Sequence, residues 1–252
     1  MPDRSAKHSG IHAVTRGEQG GHLVFIHGAG GSRLIWDRQV VELSGAYRVT
    51  AVDLPGHGRS GPPGRRTIGE YAVDVATYLT KAGSWPAVLV GHSMGGAIAL
   101  TVALEQPELV SGLVLVSTGA RLRVSPVVLE GLVNDSEAAM KLINDFAFGP
   151  DAGARLREVG ESAIRKAGPE TLLGDLRACD AFDAMGRLSS VGVPALVICG
   201  TEDRLTPIKY AGFLASGIPG ARLETVDGAG HMVMLERPAA VSQAIGQFAA
   251  TL

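Results

Sequence analysis

The 252-residue chain is 46% hydrophobic and 19% charged with a formal net charge of -2, a balance that supports one large folded core rather than a disordered chain. That charge gives no electrostatic case for nucleic acid or an anionic membrane surface, and no window reaches the roughly eighteen uninterrupted apolar residues of a membrane helix. The two cysteines, Cys179 and Cys199, argue against a disulfide framework, and the polar start Met1 to Gly10 lacks the apolar centre of a signal peptide, so a soluble, cytoplasmic protein is expected.

In chain order, Ile11 to Val14 predicts a short edge strand and Leu23 to Ile26 a buried one that ends at His27-Gly28-Ala29-Gly30-Gly31-Ser32. Small residues there let the backbone turn tightly and leave N–H groups facing open space. A helix is expected from Trp36 to Leu43, then a strand from Tyr47 to Val52 running into Asp53-Leu54-Pro55-Gly56-His57-Gly58-Arg59-Ser60. Thr67 and Glu70 have the spacing of a capping box, opening a helix whose apolar face is Tyr71, Val75, Tyr78 and Leu79 and which stops near Gly83.

The run Ala87 to Val90 reads as a strand covered on both faces, and Met94 to Glu105 as a helix. Between them stands Gly91-His92-Ser93-Met94-Gly95, whose glycines let strand and helix approach closely around a serine in strained backbone geometry. Taken alone, the pentapeptide also fits an ordinary strand-to-helix turn. A strand follows at Leu113 to Ser117.

From Arg121 to Ser190 the strand rhythm gives way to helical stretches at Leu129 to Val133, Ala138 to Phe148, Ala154 to Ala167 and Leu172 to Ala178. Strand signals return at Pro194 to Cys199 and Ala221 to Val226, with helices at Ile208 to Ser216 and Pro238 to Ala250. The alternation predicts an α/β fold: a mostly parallel sheet flanked by helices, its core 1–120 and 190–252, with a helical lid over 121–189 inserted after the sixth strand. Ligands of such sheets bind at the carboxyl ends of the strands, where the turns at His27, Asp53 and Ser93 gather.

A serine hydroxyl needs a base, and the base an orienting group. Asp203 and His231 each follow a strand, giving the order Ser, Asp, His. His231 would take the Ser93 proton and Asp203 would fix its tautomer. Glu202 is the main rival for the acid and Asp227 a weaker one, while Glu236, at the expected start of the last helix, also makes sense as a dipole partner. His92 and His57 are expected to be structural. The amides of Ala29 and Met94 are candidate oxyanion donors, and losing such a donor costs about 2.7 to 4 kcal/mol of barrier. The alternative for the glycine turn, a phosphate-binding loop, lacks the later Gly and the Lys-Ser/Thr ending.

Taken together, these five turns, from His27-Gly28-Ala29-Gly30-Gly31 to Gly230-His231, resemble the α/β-hydrolase superfamily in order and approximate spacing, over nearly the whole chain outside the lid. Within it the chain is similar to small esterase-like members: carboxylesterases, monoacylglycerol lipases and esterases of the pimeloyl-ester type. The resemblance implies Ser93 as nucleophile, Asp203 as acid, His231 as base and the Ala29 and Met94 amides as oxyanion hole, with no metal and no cofactor. A serine at the nucleophile position sets it apart from haloalkane dehalogenases and epoxide hydrolases, which use Asp there. The expected reaction is hydrolysis of short to medium carboxylic esters, with a small-molecule ester as the partner. Trp36, Phe146, Phe148 and Leu205 are candidate pocket residues. Lactone or C–C bond hydrolysis, perhydrolysis, and a small-ligand receptor that keeps the triad are the alternatives, and the oligomeric state stays open.

Overall fold

The computed structural model describes residues 4–8 and 10–252. The strands β1 (Arg4–His8), β2 (Ile11–Arg16), β3 (His22–Ile26), β4 (Arg48–Asp53), β5 (Ala87–His92), β6 (Val110–Val116), β7 (Ala195–Gly200) and β8 (Arg222–Val226) form a single sheet. Its order is β1-β2-β4-β3-β5-β6-β7-β8. From β4 to β8 all neighbours are parallel, whereas β1 and β2 join antiparallel.

The central strands are apolar on both faces because both faces are covered. Val24, Ile26 and Leu89 enter one core with α2 (Ile68–Lys81), α3 (Met94–Glu105) and α8 (Ile208–Gly217). The alternate residues Leu23, Phe25 and Val90 enter a second core with α1 (Asp37–Leu43), α9 (Val233–Glu236) and α10 (Pro238–Ala249). At α2 the capping box forms as expected: Thr67 Oγ1 accepts from the Glu70 amide at 3.1 Å, and Glu70 Oε2 accepts from the Thr67 amide at 3.2 Å. All four apolar residues of its predicted face are buried.

Helix α3 lies directly on the sheet. A Cβ at Gly91 would stand 2.2 Å from the Gly95 carbonyl oxygen, and one at Gly95 2.4 Å from that of Ile26. Only glycine permits those approaches, which bring the start of α3 to the carboxyl ends of β3 and β5.

Between β6 and β7 the chain forms α4 (Pro126–Asn134), α5 (Ser136–Ala147), α6 (Ala154–Ala167) and α7 (Pro169–Ala181). These helices share a small core of Leu132, Ala139, Met140 and Leu172, against which Ala29 from the main body also packs. A bridge between Arg121 and Asp183 draws the two ends of the segment together.

One expectation at the amino end needs correction. The polar start contains β1, although Met1–Asp3 and Ser9 lie outside the described residues. An outer strand is held by backbone ladder bonds and needs no apolar alternation, so polarity hides it. Because β1 pairs with its outer side, β2 is not the edge strand expected at Ile11 to Val14.

Candidate functional site

The turn after β5 holds Ser93 at φ 52 and ψ -118, a region L-residues rarely occupy. Several bonds hold it there. The Ser93 amide donates to Val116 O at 3.0 Å, and Ser93 O accepts from Gly96 N at 2.9 Å and from Thr118 Oγ1 at 2.7 Å. The backbone strain is thus stored between a strand and a helix that cannot separate.

Two strands away, the turn after β7 builds a carboxylate site. Asp203 Oδ1 accepts from the amides of Leu205 at 3.0 Å and Thr206 at 2.8 Å, while Oδ2 accepts from Thr206 Oγ1 at 2.9 Å. Both oxygens accept from His231 Nδ1, at 3.1 and 3.0 Å. Burial pushes this carboxyl upward, but the His231 ring and the Thr206 amide and hydroxyl outweigh it and hold the group down at about 2. Asp203 is therefore an anion that fixes Nδ1 as a donor and leaves His231 Nε2 as the free ring nitrogen.

His231 lies beside the serine turn because His92, the neighbour of Ser93, donates from Nε2 to the His231 carbonyl at 3.0 Å, with ring centroids 4.7 Å apart. Burial and the nearby His231 keep His92 well below the ordinary imidazole range, so it is neutral and structural. The Ser93 hydroxyl makes no hydrogen bond among the described residues. In sites without substrate such bonds are commonly long and tighten on binding.

The rivals for the acid are placed elsewhere. Glu202 and Asp227 are exposed, and the nearest bond of Asp227 is to Thr201. Glu236 ends α9 rather than opening the last helix, and its carboxylate accepts from the amides of Gly149 and Gly230 at 3.0 Å each. It ties the His231 turn to the end of α5.

The turn after β3 closes the site from the other side. A Cβ at Gly28 would lie 3.1 Å from Ser93 Cβ, so this backbone passes against the serine. His27 donates from Nδ1 to Gly28 O at 2.8 Å and accepts from the Leu54 amide at Nε2 at 3.0 Å. Burial, reinforced by His57, pushes His27 down to about 3, as a neutral donor-acceptor bridge requires. The amides of Ala29 and of Met94, the first residue of α3, have no partner among the described residues. Helix N-termini leave such groups unsatisfied and positive, suited to a developing anion.

The four candidate pocket residues divide. Trp36 is fully buried in the second core against Phe25, with ring centroids 5.0 Å apart, and Phe148 is buried against Gly160 with Arg157 5.8 Å above its ring. Both rings are held within the packed interior, Trp36 also edge-on to His92 with ring centroids 6.5 Å apart. Phe146 and Leu205 are exposed, Phe146 beneath the Arg204 guanidinium at 4.5 Å.

Two residues of this region were not singled out from the sequence. Thr206 bonds both Asp203 and His231 Nδ1, the latter at 3.2 Å, and its position three residues after an Asp in a turn was a readable signal. Asp175, a carboxylate on the apolar face of α7 between Leu172 and Cys179, is buried and meets the turn after β3.

The 32% identity to the dihydrolipoyllysine-residue acetyltransferase component of an acetoin cleaving system from Cupriavidus necator covers 85% of this chain but 60% of that protein. A putative carbamate hydrolase RutD of Azorhizobium caulinodans is 32% identical over 81% of this chain and 82% of its own length. A pimeloyl-[acyl-carrier protein] methyl ester esterase of Yersinia pseudotuberculosis is 29% identical over 95% and 97%. Among solved structures, a thermophilic esterase superposes with a TM-score of 0.89 at 35% identity, covering 99% of this chain and 98% of that one. Est816, described as an N-acyl homoserine lactone degrading enzyme, gives 0.88 at 28% identity, covering 97% and 100%. The profile of the alpha/beta hydrolase family matches residues 23–244, from the first parallel strand to the last helix, and the chain belongs to that family.

Proposed function

We propose that the protein cleaves carboxylic esters of short to medium acyl chain through an acyl-serine intermediate. His231 Nε2 takes the Ser93 proton as Oγ attacks the ester carbonyl, and Asp203 stabilises the imidazolium that forms. The carbonyl oxygen becomes an oxyanion held by the amides of Ala29 and Met94. His231 then protonates the leaving alcohol, and a water molecule, activated by the same base, releases the acid.

The observation that carries this reading is the anionic Asp203 bonded through both oxygens to His231, beside a serine in strained geometry at the start of α3. Support for a small acyl site comes from the helices between β6 and β7, which act as a lid. Leu172 stands so close to the oxyanion turn that a Cβ at Gly30 would meet its Cδ1 at 2.9 Å. Half-buried Val128 and Ile143 join Ala29 at that small core, giving an apolar wall for an acyl chain. A lactone is a cyclic ester open to the same attack, and the likeness to Est816 favours it as the second reading.

Steady-state hydrolysis of p-nitrophenyl esters from acetate to palmitate tests the proposal, with an N-acyl homoserine lactone in parallel and Ser93→Ala as control. The expected result is turnover with an optimum at short or medium chains that Ser93→Ala reduces to background. Turnover of the lactone alone favours the second reading. Wild-type protein that turns over neither, yet is labelled at Ser93 by a fluorophosphonate, overturns both.

A further inference from the structure

The acyl transfer proposed above needs the Ala29 amide to point at a developing oxyanion, yet Ala29 lies in a glycine turn whose preferred shape is weakly specified. Gly30 follows it at φ +61, and the Gly31 amide closes the turn on Gly28 O at 3.1 Å. One more group grips this turn, and it comes from the lid. The Gly30 amide donates to Asp175 Oδ2 at 2.9 Å.

Asp175 is itself fixed in every direction that matters. His57 Nε2 donates to the same Oδ2 at 2.7 Å, and the Tyr71 hydroxyl donates to Oδ1 at 2.7 Å. His57 Nδ1 donates to Pro55 O at 3.0 Å, so both ring nitrogens face acceptors. Burial opposes a charge on His57, but Asp175, the Pro55 carbonyl and Asp53 outweigh it and raise the ring above its ordinary range. A carboxylate only 1% exposed and met by three donors is costly to assemble, and its removal leaves those donors unpaired.

The far end of the glycine turn is held separately. Asp53 accepts from the Arg33 amide at 2.9 Å, the Arg59 amide at 3.1 Å and His12 Nδ1 at 3.1 Å. Asp53 fixes where the turn ends, and Asp175 fixes the peptide immediately after Ala29. We infer that Asp175 is a positioning residue for catalysis: from the lid it holds the Gly30 amide and so sets the direction of the Ala29 N–H toward the oxyanion. The inference rests on the ester-hydrolase reading for its substrate and for the Ala29 amide as an oxyanion donor.

The test compares wild type with Asp175→Leu, Asp175→Asn and Asp135→Ala. Asp135 caps α5, accepting from Ala138 N at 3.1 Å, so its loss loosens the same helices without touching Gly30. For each variant kcat and KM on a p-nitrophenyl ester, the rate of Ser93 phosphonylation by a fluorophosphonate, and the thermal midpoint are measured. Asp175→Leu is expected to lower kcat and the phosphonylation rate by about 100-fold, the scale of a misdirected catalytic group, with KM nearly unchanged. Asp175→Asn, which keeps an acceptor for the Gly30 amide, recovers most of that rate. Asp135→Ala loses stability but not kcat. If Asp175→Leu does not fold, Asp175→Ser, whose hydroxyl is too short to reach Gly30, takes its place. The inference is overturned if the Leu or Ser variant keeps its kcat while its thermal midpoint falls, or if Asn is as impaired as Leu. A wild type that does not turn over esters but is phosphonylated defeats the substrate reading alone, and the phosphonylation rates then decide the role of Asp175.

Discussion

Replacing Asp203 by Asn separates the charge of this residue from its shape. The carboxyl sits at about 2 against an ordinary value of 3.8, because His231 and Thr206 stabilise the anion more than burial penalises it. At 1.36 kcal/mol per unit, the charge contributes about 2 kcal/mol to folding at neutral pH. The sign follows from the folded value lying below the unfolded one. The contribution is complete above about pH 4 and disappears as the pH falls through about 2. Asn does not titrate, so the stability gap between wild type and Asp203→Asn, measured by urea denaturation, is expected to shrink by about 2 kcal/mol between pH 7 and pH 2. The other carboxylates titrate alike in both proteins and cancel. A gap that stays constant over that range refutes the claim that Asp203 is an anion held by His231. In the same variant kcat is expected to fall by about 10⁴, since an amide nitrogen no longer accepts from Nδ1 and the ring is left in the wrong tautomer.

Two further substitutions test the geometry around the serine. At φ 52 a side chain costs about 1 to 3 kcal/mol, so Ser93→Gly should be more stable than Ser93→Ala by about 1 kcal/mol, after the entropic cost of glycine. Thermal melts of the two inactive variants measure this, and an Ala variant of equal or higher stability refutes the strain. Gly91→Ala would set a methyl 2.2 Å from the Gly95 carbonyl oxygen, a backbone atom that yields only if α3 leaves β5. The expected cost is about 3 kcal/mol or more by chemical denaturation, and a cost below about 1 kcal/mol would refute the close approach.

Much of this molecule was legible in order. Apolar runs located β3 to β7, and Thr67 with Glu70 located the start of α2, because strands, caps and tight turns depend on residues close in sequence. The strand-end positions of Ser93, Asp203 and His231 were legible for the same reason. Local pattern could not rank Glu202 against Asp203. Only the turn decided, by turning Asp203 inward onto the Leu205 and Thr206 amides while Glu202 stays exposed. Aromatic character likewise does not say which way a ring faces: Trp36 and Phe148 are buried, whereas Phe146 is exposed.

By itself, then, the sequence determined the class of fold, the order of its elements and the residue types at the strand ends, since these follow from periodicity and turn chemistry within a dozen residues. Tertiary structure alone decided the partnership of Asp175 with Gly30, His57 and Tyr71, residues 145, 118 and 104 positions away. A carboxylate is drawn into such a place by donors that other segments must bring to it, and that convergence exists only once the helices between β6 and β7 have packed onto the sheet.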